Sequence, residues 1–203
     1  DLYARNLSYG FIDILGQRYQ ASDALTYQNE LWYTFPSTKT ESYTKTIWEK
    51  MYNIIANVNN LLYYCDENKQ VFTTGHYYEI IKGEALGLRA FLHFDLLRGY
   101  APSYKMGKDE PAIPYVREVT NSPVVQSTVA EVLEYILTDL KTAQALLKPV
   151  DPIGPSFAEY NDKLEYGMDE YITDDGFWLY RKSRLNYYGV TALMARVYLC
   201  QEN

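Results

Sequence analysis

Residues 83–102 read GEALGLRAFLHFDLLRGYAP. The segment is apolar on almost every side of a helix, which is typical of a helix buried within a larger packing. Ionisable side chains nevertheless fall within its few turns, and a buried charge must be paired or hydrogen-bonded. They are Glu84, Arg89, His93, Asp95 and Arg98. Gly99 followed by Pro102 is typical of a helix end. The segment therefore predicts the central helix of an all-α fold.

The spacing of these ionisable residues favours a structural role. Asp95 and Arg98 are three residues apart and can pair on one helix face. Arg89 is expected to reach His93 or a neighbouring helix, and Glu84 to cap the helix or bridge to another one. His93, in an apolar setting, is interpreted as a hydrogen-bonded core histidine rather than a catalytic one.

Apolar residues at three- and four-residue spacing predict four more helices. The segments that carry this pattern are residues 2–19, 48–62, 129–147 and 190–198. Thr128 and Glu131 form a capping box before the third of these, and Pro149 ends it. The last helix is expected to begin near Asn186, and the central one near residues 74–76.

Long loops are predicted between the helices, at residues 21–36, 101–126 and 149–183. The second loop holds four prolines and a short extended run at 112–116, and is interpreted as an ordered loop. The third is expected to include a short β-hairpin around residues 174–176. Small-then-large residue pairs in two helices are similar to tetratricopeptide repeats. The prediction is therefore an all-α fold of tetratricopeptide-like antiparallel helical repeats with long loop insertions.

Composition excludes several classes of function. The chain has 203 residues and a net charge of −7, which argues against nucleic-acid binding because phosphates require a basic surface. No long uncharged apolar run is present to span a membrane. Cys65 and Cys200 have no zinc or redox spacing, and no metal or cofactor site is predicted.

The high tyrosine content has two explanations. The 22 tyrosines either form hydrated binding surfaces or pack between helices with their hydroxyl groups at the edge of the packing.

Four blocks of sequence occur in a fixed order along the chain. They are WEKMYNIIANVNN at residues 48–60, the central helix followed by Ile113 and Pro114, residues 127–147 with Ile136, Asp139, Leu140 and Ala143, and residues 184–199. Together they resemble the SusD/RagB family of outer-membrane nutrient-binding lipoproteins. Members of that family are usually much longer and carry a signal peptide, a lipidated cysteine and a second half. The resemblance therefore implies that residues 1–203 form a single N-terminal SusD-like domain, with the C-terminal half of the family fold missing.

The resemblance also implies a function. The protein would bind a nutrient, most often an oligosaccharide, without catalysis and deliver it to a SusC-like TonB-dependent transporter. It would be an outward-facing outer-membrane lipoprotein, held to the membrane only through a lipid anchor absent from this chain. Two alternatives remain open: a helical-repeat interaction scaffold with no small ligand, and a peptide-binding relative.

The residues give little support for an enzyme. Glycoside hydrolysis requires two carboxylates facing each other across a sugar, and the acidic pairs at residues 169–170 and 174–175 lie in predicted turns. His76 and His93 are the only histidines, so a nucleophile has few partners for activation. No catalytic residue and no metal ligand is predicted.

Residues 23–43 hold the candidate ligand site. Sugars are bound by aromatic plates together with a few amide or carboxylate groups. The candidate ligand-binding residues of that kind are Asp23, Tyr27, Asn29, Trp32, Tyr33 and Tyr43. In family members the loop before the Trp48 helix often contributes to the glycan platform, so the resemblance favours this segment. The alternative is that Trp32 fills the core beneath a long loop. A second aromatic loop, residues 160–180, is interpreted as packing against the helices.

Overall fold

The computed structural model describes residues 2–8, 10–18, 27–35, 37–73, 75–157, 177 and 181–202. Within these residues the fold is helical, with one small two-stranded sheet. The helices are α1 (Phe11–Leu15), α2 (Gln28–Leu31), α3 (Thr38–Glu67), α4 (Tyr77–Tyr100), α5 (Tyr104–Gly107), α6 (Val129–Leu147) and α7 (Tyr187–Glu202). The strands are β1 (Pro111–Pro114) and β2 (Gln126–Thr128). The chain divides into two compact units, Asp1–Ile54 and Ile55–Asn203, and the boundary falls within α3.

The second unit is built around α4, as the sequence predicted. This helix packs against α6 and α7, and α6 also packs against α7. Ile80, Leu86 and Leu92 are buried on different sides of α4, so the helix is enclosed on most of its surface. Gly83 lies at a close approach to α6, where a Cβ atom would stand 2.8 Å from Leu147 Cγ. The antiparallel helical packing therefore follows from one nearly all-apolar helix.

The start of α6 confirms the predicted capping box. Thr128 Oγ1 accepts a hydrogen bond from the Glu131 backbone N–H at 3.2 Å. The Thr128 backbone N–H donates in return to Glu131 Oε2 at 2.8 Å. These bonds satisfy backbone donors that the first turn of a helix leaves open. The helix ends at Leu147, just before Pro149.

The predicted ordered loop at residues 101–126 contains more regular structure than expected. It includes α5 and β1, and β1 pairs antiparallel with β2, with Pro111 opposite Thr128 and Pro114 opposite Gln126. Ile113 of β1 is fully buried, and the strand packs against α4 and α6. The sequence pattern missed the sheet because β1 is bounded by prolines and β2 is a short polar segment with no alternation.

The first unit corrects the predicted helix over residues 2–19. Residues 2–6 form one π-helical turn and α1 begins only at Phe11. Gly10 separates them, with φ −108° and ψ −112°, outside the helical region. A Cβ atom at Gly10 would lie 2.8 Å from the Arg5 carbonyl oxygen and 2.9 Å from Tyr27 Oη, so the backbone turns where a side chain cannot fit. The predicted loop at 21–36 likewise contains a helical turn, α2.

Some predictions fall outside the described residues. The expected hairpin around residues 174–176 and the acidic pairs at 169–170 and 174–175 lie there, as does most of the aromatic loop at 160–180. Among the described residues, no helix is both long and apolar enough to cross a membrane. Cys65 is buried, Cys200 is half-buried, and both are free thiols.

Candidate functional site

The first unit presents three aromatic side chains to solvent at the end of α2. The exposed fraction is 72 % for Trp32 and 51 % for Tyr33, and Phe35 is also exposed. The rings of Tyr33 and Phe35 meet edge to face with centroids 6.3 Å apart. We call Trp32, Tyr33 and Phe35 the aromatic edge. Trp32 thus lies in solvent in this unit and does not fill its core.

Local hydrogen bonds fix the backbone of the aromatic edge. The Trp32 backbone N–H donates to the Gln28 carbonyl at 3.1 Å, and the Thr34 N–H donates to the Asn29 carbonyl at 2.8 Å. Thr34 Oγ1 also donates to Asn29 Oδ1 at 3.2 Å. Tyr33 has a positive φ of 51°, which this turn imposes on a bulky residue. The Tyr33 hydroxyl donates to the Leu15 carbonyl. The candidate residue Asn29 therefore lies beside the edge and closes its turn.

The buried carboxylate of Glu30 holds α2 against the start of α3. Glu30 is almost completely buried, and Thr40 Oγ1 of α3 donates to its Oε1 at 2.6 Å. The Ser37 and Thr40 hydroxyls are 2.7 Å apart and extend the same hydrogen-bonded chain. Glu30 was not among the predicted site residues. Its sequence signal is weak, because Glu30 follows the polar residues Gln28 and Asn29 and has apolar neighbours only on its C-terminal side.

One candidate residue lies in the core of the first unit, and a second packs half-buried beside it. Tyr27 is buried, and its ring centroid is 5.3 Å from that of Tyr43. Phe11 approaches Tyr43 at 5.8 Å, so the three rings form one aromatic cluster. Burial raises the pKa of Tyr43, with smaller contributions from Tyr27 and Glu30. The structure thus separates Tyr27, which is buried, and Tyr43, which packs half-buried against it, from Trp32 and Tyr33, which face solvent. The sixth candidate, Asp23, lies outside the described residues.

The second unit contains a buried polar network on α4. Arg89 binds Asp139 of α6 through Nε and Nη2, both at 2.7 Å. Tyr115 Oη donates to Asp139 Oδ2 at 2.7 Å. Burial alone would lower the pKa of Arg89, but the hydrogen bonds and charge of Asp139 raise it above its usual value. This network is structural because its groups are enclosed and their hydrogen-bonding capacity is used inside the protein.

His93 belongs to the same interior. Its Nδ1 lies 2.9 Å from the Arg89 carbonyl oxygen, and its Nε2 accepts from the Val116 backbone N–H at 3.1 Å. The ring stacks on Tyr115 with centroids 4.0 Å apart. Burial lowers the pKa of His93 to about 4, so the ring is neutral at physiological pH. The prediction of a hydrogen-bonded core histidine is confirmed.

A second polar cluster joins α4 to the segment before α7. Arg181 is fully buried and binds Asp151 through Nη2 at 2.6 Å and Nε at 3.2 Å. Glu84 of α4 accepts from both Arg181 and Arg184, so it bridges to the segment before α7 and not, as predicted, to another helix. Asp151 also accepts from the Tyr187 backbone N–H at 2.9 Å and so caps α7. Burial lowers the pKa of Arg181 to about 10, which leaves the side chain charged at neutral pH.

The remaining charges of α4 behave as predicted. Arg98 Nη1 donates to Asp95 Oδ1 at 3.2 Å on the exposed side of the helix. Across the described ranges, no group of three or more histidine, cysteine or acidic residues is placed to hold a metal ion. Within the described part of the first unit, the aromatic edge is a surface feature with ligand-binding chemistry.

A family model described as SusD-like, starch-binding associating with outer membrane, matches residues 13–152. The chain belongs to the SusD-like family. Solved structures that share its fold include three SusD-like proteins. A SusD superfamily protein from Bacteroides thetaiotaomicron is 20 % identical, with a TM-score of 0.64 over 91 % of this chain and 34 % of that protein. A SusD-like carbohydrate binding protein from Bacteroides vulgatus is 20 % identical, with a TM-score of 0.63 over 89 % of this chain and 33 % of that protein.

The third structure, a SusD superfamily protein from Bacteroides fragilis, is 19 % identical, with a TM-score of 0.53 over 79 % of this chain and 42 % of that protein. The chain thus spans about a third to two fifths of the length of these SusD-like structures. Among curated proteins, none matches the sequence. At these identities the structural likeness shows a common fold, and it agrees with the family match.

Proposed function

We propose that this SusD-like chain binds an oligosaccharide without catalysis and takes part in delivering that oligosaccharide to a SusC-like TonB-dependent transporter. The family description, starch-binding associating with outer membrane, supports the ligand class and the location. The B. vulgatus structure named a carbohydrate binding protein supports the ligand class as well. The family resemblance supports the transporter and an outward-facing, lipid-anchored position in the outer membrane as parts of this proposal.

One structural observation carries the proposal, the exposure of the Trp32 ring. Burial of a large aromatic side chain is worth about 1.5–3 kcal/mol, so a ring left in solvent gives up that stabilisation. An exposed indole offers a flat apolar face for the C–H side of a sugar ring. Asn29 and Thr34 lie beside it and supply amide and hydroxyl groups for sugar hydroxyls. Together they provide the aromatic plate and the few polar groups that a sugar site requires.

The proposed role needs binding and release but no bond cleavage. The acidic side chain nearest to the aromatic edge in sequence, Glu30, is buried and bound to Thr40, where it supports the backbone. In this proposal it acts as a structural residue and not as a general acid. That residues 1–203 form a single N-terminal SusD-like domain also stays a prediction.

Native affinity electrophoresis tests the proposal. The wild-type chain is run in gels that contain soluble starch, dextran, xylan or inulin, and at least one polysaccharide is expected to retard it. Trp32→Ala should reduce the retardation and leave the melting temperature within about 2 °C, since an exposed side chain adds little stability. Tyr188→Ala removes another exposed tyrosine ring, on α7, and should keep the retardation.

Three outcomes would contradict this proposal. The first is retardation that Trp32→Ala leaves unchanged. The second is a large fall in the melting temperature of that variant, which would make Trp32 a packing residue. The third is no retardation of the wild-type chain by any of the polysaccharides. Binding of a peptide pool in that case would favour the peptide-binding relative, and binding of neither class would favour the interaction scaffold.

A further inference from the structure

The second unit has its own aromatic groove, between the C-terminal half of α3 and the segment that follows β1. It is lined by Asn60, Tyr63, Tyr64, Glu118 and Val119 and has a volume of about 400 Å³. We call these five residues the tyrosine groove. An adjoining groove of about 240 Å³ shares Tyr63, Glu118 and Val119 and extends to Asp66 and Lys82. Both volumes are of the order that small-molecule sites occupy, a few hundred Å³.

The two tyrosine rings are both solvent-exposed, although adjacent residues of a helix point in different directions. The exposed fraction is 54 % for Tyr63 and 60 % for Tyr64. Their centroids are 5.2 Å apart and their planes are inclined by 77°, so the rings present faces in two directions. Leu61 and Val119 are exposed beside them. Scattered exposed apolar residues are ordinary, but a contiguous group of this kind marks a binding surface.

Buried side chains hold the opposite wall of the groove in place. Asn59 Nδ2 donates to the Val116 carbonyl at 3.0 Å, and Arg89 Nη1 donates to the Arg117 carbonyl at 2.7 Å. The same Arg89 nitrogen donates to Asn59 Oδ1 at 3.0 Å, which joins the two anchors. The backbone that carries Glu118 and Val119 is thereby fixed against α3 before any ligand arrives. A preformed wall lowers the ordering cost of binding.

The polar groups of the groove can bind hydroxyls. Glu118 supplies carboxylate oxygens and Asn60 supplies an amide at its rim. In the adjoining groove Asp66 accepts from Lys82 Nζ at 2.6 Å and from Tyr78 Oη at 2.8 Å, so its charge is already compensated. Ring faces with hydroxyl-binding groups at their edge suit a neutral polyhydroxylated ligand.

We propose that the tyrosine groove is a binding site for a neutral oligosaccharide. The faces of Tyr63 and Tyr64 pack on sugar C–H groups, while Glu118 and Asn60 bind sugar hydroxyls. The site is separate in sequence from the aromatic edge and is built by the second unit alone. It shares with the proposed function only the class of ligand, so either site can exist without the other.

Solution NMR of the methyl-labelled full chain distinguishes the two sites. The Val119 methyl signals report on the tyrosine groove and the Trp32 indole N–H signal reports on the aromatic edge. The protein is titrated with maltoheptaose, cellohexaose and xylohexaose. A saturable shift of the Val119 signals by at least one of them is expected. Combining Tyr63→Ala with Tyr64→Ala should weaken that response at least about tenfold, and Trp32→Ala should leave it unchanged.

Two further variants sharpen the test. Tyr188→Ala is the matched control, because Tyr187 and Tyr188 of α7 form a comparable edge-to-face pair at 5.3 Å and Tyr188 is 48 % exposed. It should leave the Val119 response unchanged. Tyr64→Phe keeps the ring and should retain binding within about threefold, which separates stacking from hydrogen bonding by the hydroxyl.

Each remaining outcome decides the proposal. Absence of a Val119 shift with all three sugars overturns it, as does an equal shift in the double alanine variant with an unchanged melting temperature. A shift of the Trp32 signal alone overturns the tyrosine groove and supports the aromatic edge. A shift of the Val119 signals alone supports the tyrosine groove and contradicts the aromatic edge as the binding site.

Discussion

The guanidinium group of Arg89 in α4 and the carboxylate of Asp139 in α6 meet in two parallel hydrogen bonds of 2.7 Å. Both side chains are about nine-tenths buried. Such a pair loses its hydration on folding, and the bidentate geometry with further bonds from Tyr115 and to Asn59 compensates for that loss. The pair therefore fixes how the central helix lies against α6.

We predict that Asp139→Asn lowers the free energy of unfolding by about 3–5 kcal/mol, because Arg89 then remains buried without its carboxylate. Urea denaturation followed by circular dichroism measures the change. The double replacement Arg89→Met with Asp139→Leu removes both charges and should recover part of the loss. A loss below about 1 kcal/mol for Asp139→Asn would show that the pair is not a structural determinant.

Burial of His93 predicts a specific pH dependence. The unfolded chain protonates histidine near pH 6.5, while the folded ring has its pKa lowered to about 4. The unfolded state therefore takes up the proton first, and stability is lost as the pH falls from 6.5 towards 4, by up to about 3 kcal/mol. Unfolding free energies at pH 7 and pH 4.5, measured for the wild type and His93→Gln, give this contribution as a difference.

The variant should lose less stability than the wild type between the two pH values, although it is less stable at pH 7. Carboxylates titrate over the same range in both proteins and largely cancel in the comparison. An equal loss in both proteins would mean that His93 is not held neutral in the folded state.

The capping box of α6 predicts that two threonines, one at the start of the helix and one within it, contribute differently to stability. Thr128→Ala removes the acceptor for the Glu131 N–H and should cost about 1 kcal/mol of stability. Thr142→Ala removes an exposed mid-helix hydroxyl that binds the Thr138 carbonyl of the same helix. That change should stay within about 0.5 kcal/mol. Urea denaturation of both variants checks the contrast, and equal effects would argue against a role for the cap.

The aromatic cluster of the first unit predicts that Tyr27 acts through packing. Tyr27→Ala should lower stability by about 3 kcal/mol, because it empties a buried ring site beside Tyr43. Tyr27→Phe keeps the ring and loses only a long 3.5 Å contact with Asn6 Oδ1, so it should cost less than about 1 kcal/mol. Thermal unfolding of the two variants measures the effect. A stable Tyr27→Ala variant that no longer binds polysaccharide would instead assign Tyr27 to ligand contact.

The sequence predicted those parts of the fold that depend on local spacing. The all-round apolar pattern identified α4, three-residue spacing paired Asp95 with Arg98, and the capping box located the start of α6. In each case the interacting residues lie within one helical turn of each other. The same pattern reasoning failed at Gly10, where close contacts with Arg5 and Tyr27 break a run that is helical by periodicity alone.

The sequence did not predict which residues pair with the buried charges. In the sequence, Asp139 is not distinguishable from the other acidic residues of an amphipathic helix. Its partner Arg89 is 50 residues away. Arg181 is 97 residues from Glu84. The candidate site was limited in the same way, because Tyr27 and Tyr33 have equal aromatic character. Only packing against α1 and α3 decides which ring is buried and which one faces solvent.

The pairing of Asp151 with Arg181 has a consequence for how the chain can diversify. The two residues are 30 positions apart, and Asp151 also binds the first backbone N–H of α7. The polypeptide between them is thus closed at its base, and the entropic cost of a closed loop rises only slowly with its length. We therefore expect insertions or replacements in that interval to leave the start of α7 unchanged. The helical packing around α4 can then accept changes in the length of this interval without losing the cap on α7.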